Sequence, residues 1–183
     1  MSRAEQLPVN RGFESSFGYL SGAEDHFDQT RDGYHDFWRN LKPAHNETGG
    51  PSQQCGGSSY LDDKCRYATY QYTAEAERII AAHPNPAANP LMLYMCFGAM
   101  HGPLQAPQKY IDLYPNVSFT ARQKALAMIS IVDDAIANVT SALHARGMWN
   151  DTLIIFSSGL CSFEMLLSPT LRFTSTCARL HQR

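Results

Sequence analysis

The chain has 183 residues, of which 44% are hydrophobic and 17% are charged, so it can bury a core and does not have a disordered composition. Fifteen Lys and Arg against 17 Asp and Glu give a formal net charge of −2, which gives no support for a nucleic-acid or anionic-membrane partner. The sequence shows no run of the ~20 apolar residues that predicts a transmembrane segment, and residues 1–8 lack the apolar core of a signal peptide.

Residues 7–25 are rich in glycine, serine and aromatic side chains, which predicts a loop with a short extended piece. At its end, Glu24, Asp25 and His26 offer carboxylate and imidazole groups that could ligate a metal. The same residues are also typical of a solvated polar loop, and we favour that interpretation. Residues 29–59 contain repeated proline and Gly-Gly breaks and predict an excursion on the surface.

Four Asn-x-Ser/Thr sequons occur, and none has proline in its middle position. A single sequon can arise by chance, but four in a chain of this length indicate a secretory-pathway ancestry. The candidate glycosylation sites are Asn46, Asn116, Asn138 and Asn150.

The five cysteines predict one disulfide and one buried thiol. Cys55 and Cys65 share a loop rich in Gly, Ser and Asp, where a bridge would stabilise the fold by roughly 2–3 kcal/mol. Cys96 lies in an apolar run and is predicted to be a buried, inert thiol. No Cys-x-x-Cys pair occurs, so the sequence gives no support for a zinc site or a thioredoxin motif.

Two helices are predicted from their capping signals. Thr73 is a favourable N-cap for a helix that runs to about Ala82. Thr120 and Gln123 form a capping box that opens a longer helix over residues 120–146, and Gly147 ends it. Apolar residues recur along this helix at spacings of three and four, at Leu126, Ile129, Val132, Ile136, Val139 and Leu143.

Two continuous apolar runs, residues 91–97 and 152–157, predict strands that are buried on both faces. Because helix 120–146 lies between them, they form a strand–helix–strand unit, which predicts parallel neighbours joined by a right-handed crossover. His101 follows the first strand, at the carboxyl edge where ligands bind in open α/β sheets. Position alone also fits an ordinary loop histidine. Residues 109–114 predict a brief helical turn.

Three stretches, in the same order along the chain, resemble the sulfatase family and its arylsulfatase B-like branch. Residues 11–25 read Arg-Gly-Phe-Glu-Ser-Ser-Phe-Gly-Tyr-Leu-Ser-Gly-Ala-Glu-Asp, and residues 101–107 read His-Gly-Pro-Leu-Gln-Ala-Pro. Residues 132–157 are similar to the helix and strand that follow in the family. The resemblance implies a partial alkaline-phosphatase-like α/β sandwich, with a mostly parallel sheet flanked by helices. Residues 1–158 would be part of a sulfatase catalytic domain and residues 159–183 a divergent tail.

The resemblance also implies chemistry and location. In the family, the histidine of the His-x-Pro-Leu-Gln-x-Pro loop contacts the sulfate of the substrate, so His101 is the predicted substrate-binding residue. It further implies the hydrolysis of sulfuric esters, possible action on sulfated glycans, a calcium cofactor, and a lysosomal or secreted location. Related sulfatases are glycosylated in the segments that match Asn138 and Asn150.

The chain departs from the family at every other catalytic position. It has no Cys-x-Pro-Ser-Arg motif, whose cysteine becomes the formylglycine nucleophile, and the Gly-Lys-Trp-His segment would lie before Met1. Residues 157–160 read Ser-Ser-Gly-Leu where the family has the Asp and Asn that ligate calcium. We therefore assign no catalytic residue and no metal ligand, and expect these 183 residues to be inactive alone.

Three functions are compatible with this pattern. The first is a sulfatase-family hydrolase present as a fragment. The second is a truncated, non-catalytic isoform that acts as an interaction module for a sulfated glycan or a full-length relative. The third is another superfamily member such as a phosphodiesterase, which the His-Gly-Pro-Leu-Gln-Ala-Pro loop disfavours.

Overall fold

The structure is a computed structural model that describes residues 4–44, 67–84 and 88–157. Cys55, Cys65 and Asn46 lie outside the described residues, as does the predicted tail 159–183. The chain divides into two compact units, residues 1–150 and residues 151–183. The first unit holds all the α-helices and strands named below, and residues 151–157 are the described part of the second.

The N-terminal part of the first unit consists of short turns and strands. Two 3-10 helices, Ala4–Gln6 and Pro8–Asn10, come first. The strands that follow are β1 (Phe17–Gly18), β2 (Thr30–Arg31), β3 (Tyr34–His35), β4 (Trp38–Arg39) and β5 (Lys42–Pro43). They pair antiparallel, in one sheet of order β1-β4-β5 and one hairpin β2-β3, with Phe17 opposite Arg39 and Thr30 opposite His35. The predicted surface excursion therefore contains local antiparallel pairing.

Helix α1 spans Ala68–Ala82 and begins five residues before the predicted N-cap. The assignment of Thr73 as N-cap is wrong, because Thr73 is buried inside the helix and its hydroxyl donates to the Thr69 carbonyl at 2.7 Å. That bond satisfies the hydroxyl without ending the helix. The residue that precedes α1 is Tyr67, which is 1% exposed, so core packing places the first turn.

Helix α3 spans Thr120–Ala145 and confirms the longest predicted element, while Gln108–Ile111 forms the short helix α2. The capping box is wrong: no side chain caps α3, and the Gln123 amide donates to the Tyr114 carbonyl at 3.0 Å. A tertiary acceptor thus outcompetes the local one. The predicted stop is confirmed, since Gly147 has φ +67° and its N–H donates to the His144 carbonyl.

The buried face of α3 differs from the predicted stripe. Ile129 and Ile136 are 38% and 37% exposed, and Leu126 and Val132 are half-buried. The buried residues are Ala125, Ala127, Met128, Ile131, Ala135 and Leu143. Because α3 is apolar around much of its circumference, periodicity could not decide which side packs against α1 and α2. By length and composition alone α3 could also cross a membrane, which is weak support for a span because core helices pass the same test.

The core of the first unit joins α3 to α2 and to the loop after residue 98. Its buried members are Tyr67, Ala106, Tyr110, Ala127, Met128 and Ile131. Phe27 and Leu104 pack against this cluster from two loops that are distant in sequence. Outside this cluster, the ring of Phe37 stacks on the ring of Tyr72, with ring centroids 5.6 Å apart. The polar loops at residues 24–29 and 98–107 are therefore held by the same core.

The two-sided burial predicted for residues 91–97 and 152–157 is wrong. In the first segment side chains alternate, with Leu91, Leu93, Met95 and Phe97 half-buried and Met92, Tyr94 and Cys96 exposed. Cys96 is therefore an exposed free thiol. In the second segment Leu153 is 84% exposed. Neither segment pairs as a strand with another described residue, so their parallel pairing stays a prediction. An apolar sequence predicts that a segment tends to be buried, but whether other residues pack against it depends on the tertiary structure.

Candidate anion-binding loop

The loop over residues 98–107 carries the predicted substrate-binding histidine. Met100 has φ +64°, a left-handed conformation that costs a non-glycine residue about 1–2 kcal/mol, so the surrounding contacts must hold it. The peptide bond between Gly102 and Pro103 is cis. His101 is exposed at the tip, while Ala106 and Pro107 are buried at its base. The loop thus presents one imidazole on a fixed support.

Gln105 ties this loop to the segment Asp25–His26. Its Oε1 accepts the backbone N–H of His26 at 2.8 Å, and its Nε2 donates to the carboxylate of Asp25. The backbone carbonyl of Gln105 accepts the hydroxyl of Tyr67 at 2.8 Å. Gln105 therefore has partners for both ends of its side chain and for its backbone carbonyl.

Asp25 is the receiving end of that contact. Its Oδ1 accepts the backbone N–H groups of Phe27 and Asp28 at 2.9 and 3.0 Å, which forms an Asx turn. Its Oδ2 is left for Gln105. Because donors reach both oxygens, the carboxylate charge is satisfied without a metal ion.

His26 lies beneath the loop and is 6% exposed. A Cβ added at Gly98 would lie 3.0 Å from its Cε1, which is closer than ordinary van der Waals contact, so a side chain there would press on the His26 ring. Burial lowers the pKa of His26, although the nearby carbonyls of His101 and Pro103 act in the opposite direction. Its Nε2 has no hydrogen-bond partner among the described residues. His26 is therefore a buried side chain against which the loop packs.

Glu24 is the most unusual carboxyl group of this region, since it is 2% exposed. Neither of its side-chain oxygens has a hydrogen-bond partner among the described residues. Burial, together with the nearby charges of Asp36, Asp25 and Asp28, raises its pKa to about 9. The interpretation of residues 24–26 as a solvated polar loop is wrong, because tertiary packing buries Glu24 and His26.

The chemistry of His101 follows from one hydrogen bond. Its Nδ1 lies 2.8 Å from the carbonyl oxygen of Gly102, and a carbonyl can only accept, so Nδ1 carries a proton. In the neutral ring the exposed Nε2 carries a lone pair and can only accept a hydrogen bond, whereas in the imidazolium it carries a proton and donates. An anion that binds at Nε2 must therefore bind the protonated ring.

The described residues do not fit the calcium ion that the family uses. They contain no group of three or more His, Cys, Asp or Glu side chains arranged to hold a metal. Calcium takes six to eight oxygen ligands, and the Asp25 carboxylate is already committed to protein donors.

The described part of the chain places the predicted site residues on separate elements. His101 occupies the tip of the loop, and three sequon asparagines are exposed: Asn116 in a turn, Asn138 on α3 and Asn150 in the 3-10 helix Trp149–Asp151. The sequence alone does not assign Asp25, His26 and Gln105 to this site. The Glu-Asp and Pro-Leu-Gln stretches both belong to the family resemblance, which could have singled out these residues. However, neither stretch contains any sequence feature that predicts a contact with the other.

Comparison with known proteins agrees with the motifs. The sequence profile described as Sulfatase matches residues 1–159. Arylsulfatase J of Mus musculus is 33% identical over 163 residues, which cover 85% of this chain and 24% of that protein. The chain therefore spans about a quarter of the length of this relative.

Two solved structures are similar in fold. The crystal structures of Ps i-CgsB, alone and in complex with k-i-k-neocarrahexaose, each align with a TM-score of 0.58 at 20% identity. Each alignment covers 80% of this chain and 32% of the other. Together with the Sulfatase match, this likeness indicates an α/β fold of the alkaline-phosphatase-like type, although the described strands of this chain pair antiparallel. With a family profile that covers most of its length, the chain belongs to the sulfatase family and represents part of a sulfatase.

Proposed function

We propose that this chain is the part of an arylsulfatase-like sulfuric ester hydrolase that binds the sulfate group through His101. The observation that carries the proposal is the exposed imidazole on a fixed loop, with Nδ1 held by Gly102 and Nε2 open to a ligand. The imidazolium Nε2–H donates to a sulfate oxygen and adds positive charge beside it. In the whole protein this contact stabilises the charge that develops as the ester bond breaks.

Several features of the whole protein belong to the same proposal. Residues 91–97 and 152–157 become neighbouring parallel strands of the family's sheet, in a catalytic domain that includes residues 1–158. Calcium is held by residues other than those described. Glycans at the four sequons, a bridge between Cys55 and Cys65, and a lysosomal or secreted location are consistent with the resemblance. The sulfate ester partner is to be sought first among aryl sulfates and sulfated glycans.

Sulfate binding can be measured on the 183-residue chain with labelled histidines. One charge-assisted hydrogen bond of about 1.5–3 kcal/mol gives a Kd on the order of 10 mM, so NMR titration of the imidazole nitrogens is the suitable method. At pH 5.5 and constant ionic strength, sulfate should shift the His101 resonance to saturation.

The matched control is His144, an exposed histidine that stacks on Trp149 with ring centroids 4.6 Å apart. His101→Gln should abolish the saturable shift, and His144→Gln should leave it unchanged. Equal shifts at both histidines would show that sulfate acts only through bulk screening.

A non-catalytic interaction module is the second candidate. The exposed apolar side chains of Met92 and Tyr94, which are 76% and 72% exposed, favour it. Sedimentation of the chain with an active full-length arylsulfatase tests it. If the two proteins sediment together and Met92→Lys abolishes this, the result would support the interaction-module function. If they sediment independently at micromolar concentrations, the result would exclude that function.

A further inference from the structure

The side chain of Gln105 joins two segments that are far apart in the sequence: Gln105 is 79 positions after His26 and 80 positions after Asp25. Gln105, four residues after His101, bonds to the backbone of His26 and to the carboxylate of Asp25. We propose that Gln105 and Asp25 form a clasp that positions the His101 loop for anion binding. The inference rests on the proposed function, and it assigns these two residues a positioning role.

The polarity of the clasp is fixed at both ends. The His26 N–H can only donate, so it takes the amide oxygen of Gln105 and leaves the amide nitrogen to face Asp25. The Asp25 carboxylate can only accept, and two backbone donors already hold its other oxygen. A side chain with one donor and one acceptor at this reach is therefore required, and glutamine satisfies both demands.

The clasp reaches the imidazole through the backbone. The contacts at residues 25–26 seat Gln105, the Tyr67 hydroxyl holds its carbonyl, and His26 packs against Gly98 at the other end of the loop. His101 lies between these two supports, and its own backbone N–H donates to the Gly98 carbonyl at 3.2 Å. Loss of the Gln105 contacts frees one support and lets the strained Met100 turn relax.

A polarity swap tests the clasp. In Asp25→Asn the new amide oxygen keeps the two backbone donors, so the new amide nitrogen faces the Gln105 nitrogen and two donors oppose each other. In Gln105→Glu two carboxylates oppose each other. In the double variant the amide nitrogen introduced at position 25 donates to one oxygen of the carboxylate introduced at position 105. The other oxygen of that carboxylate accepts the His26 N–H, which restores the geometry at unchanged net charge.

Sulfate titration of His101 at pH 5.5 and hydrogen exchange of the His26 amide are the two readouts. Each single variant should weaken sulfate binding about fivefold or more and deprotect the His26 amide, as expected when a hydrogen bond is lost. The double variant should recover both within about twofold of wild type. If a single variant fails to fold, Gln105→Met, which removes the bonds without opposing like groups, replaces it.

The control for general destabilisation is Gly147→Ala, at the far end of α3 and outside every clasp contact. It should lower stability and leave the sulfate Kd unchanged. The clasp is overturned if wild type binds sulfate and the single variants bind equally well, if the double variant fails to recover, or if Gly147→Ala weakens binding as much. If wild-type His101 does not titrate with sulfate, the proposed function fails first, and the positioning role fails with it.

Discussion

Glu24 shows how a single buried acid couples this fold to pH. Its side chain is 2% exposed, and burial beside Asp36 raises its pKa to about 9. The unfolded chain ionises the same group near its ordinary pKa of 4.5. Between these values the unfolded state loses its proton and the folded state keeps it, so folding stability falls as pH rises.

We expect Glu24→Gln to remove this slope. Below about pH 4.5 both proteins hold a neutral side chain, whereas toward pH 8 wild type loses stability by at most about 1.4 kcal/mol per pH unit. Urea unfolding at pH 5, 6.5 and 8 should therefore show a variant whose stability relative to wild type increases with pH. Glu14→Gln, at an exposed position, is the control and should track wild type throughout. Parallel stability curves for Glu24→Gln and wild type would contradict the assignment.

For single residues, the sequence predicts which side chains could bind a ligand better than it predicts which residues surround them in the fold. His101 can be found from the sequence because a strand-like run precedes it and a recognisable loop contains it. The contact between Asp25 and Gln105 joins residues that are 80 positions apart, and single-sequence patterns carry no distance information. The prediction for Cys96 is wrong for the same reason, since an apolar neighbourhood in sequence becomes an exposed position in the structure.

Among the elements, α3 is the most predictable because its long apolar periodicity and its glycine stop are both local signals. After its last turn, the Gly147 and Met148 N–H groups donate to the carbonyls of His144 and Leu143 at 3.0 and 2.9 Å. This pattern is a Schellman motif, which requires a left-handed residue at Gly147. The start of α1 and the buried face of α3 are less predictable, because tertiary packing decides both.

Gly147→Ala should destabilise the chain by about 1 kcal/mol, the cost of holding alanine in the left-handed region. No atom lies within 4 Å of the added Cβ, so backbone strain is the whole expected effect. Thermal unfolding measures it against Gly22→Ala, whose added Cβ is equally uncrowded and whose φ lies outside the left-handed range. A variant as stable as Gly22→Ala would mean that the helix end differs in solution.

At the scale of the whole molecule, the chain is a piece of the family's domain with a surface that its own described residues do not cover. It matches 24% of arylsulfatase J and 32% of the Ps i-CgsB structure. Met92 and Tyr94 are exposed in a segment for which the sequence predicts a strand. The helices and the His101 loop are therefore formed by contacts among the described residues. The predicted parallel sheet depends on strand pairing, which sequence periodicity does not determine.

The 183 residues should show no aryl sulfatase turnover. Hydrolysis needs a nucleophile and an ion to neutralise the sulfate oxygens, and the sequence lacks the Cys-x-Pro-Ser-Arg motif and the family's Asp-Asn calcium pair. Loss of even one such group costs orders of magnitude in rate. The chain, made in cells that form formylglycine, should not exceed background on a chromogenic aryl sulfate with calcium, while an active full-length arylsulfatase turns over in parallel. Turnover that His101→Gln removes would mean that other residues of this chain supply the nucleophile.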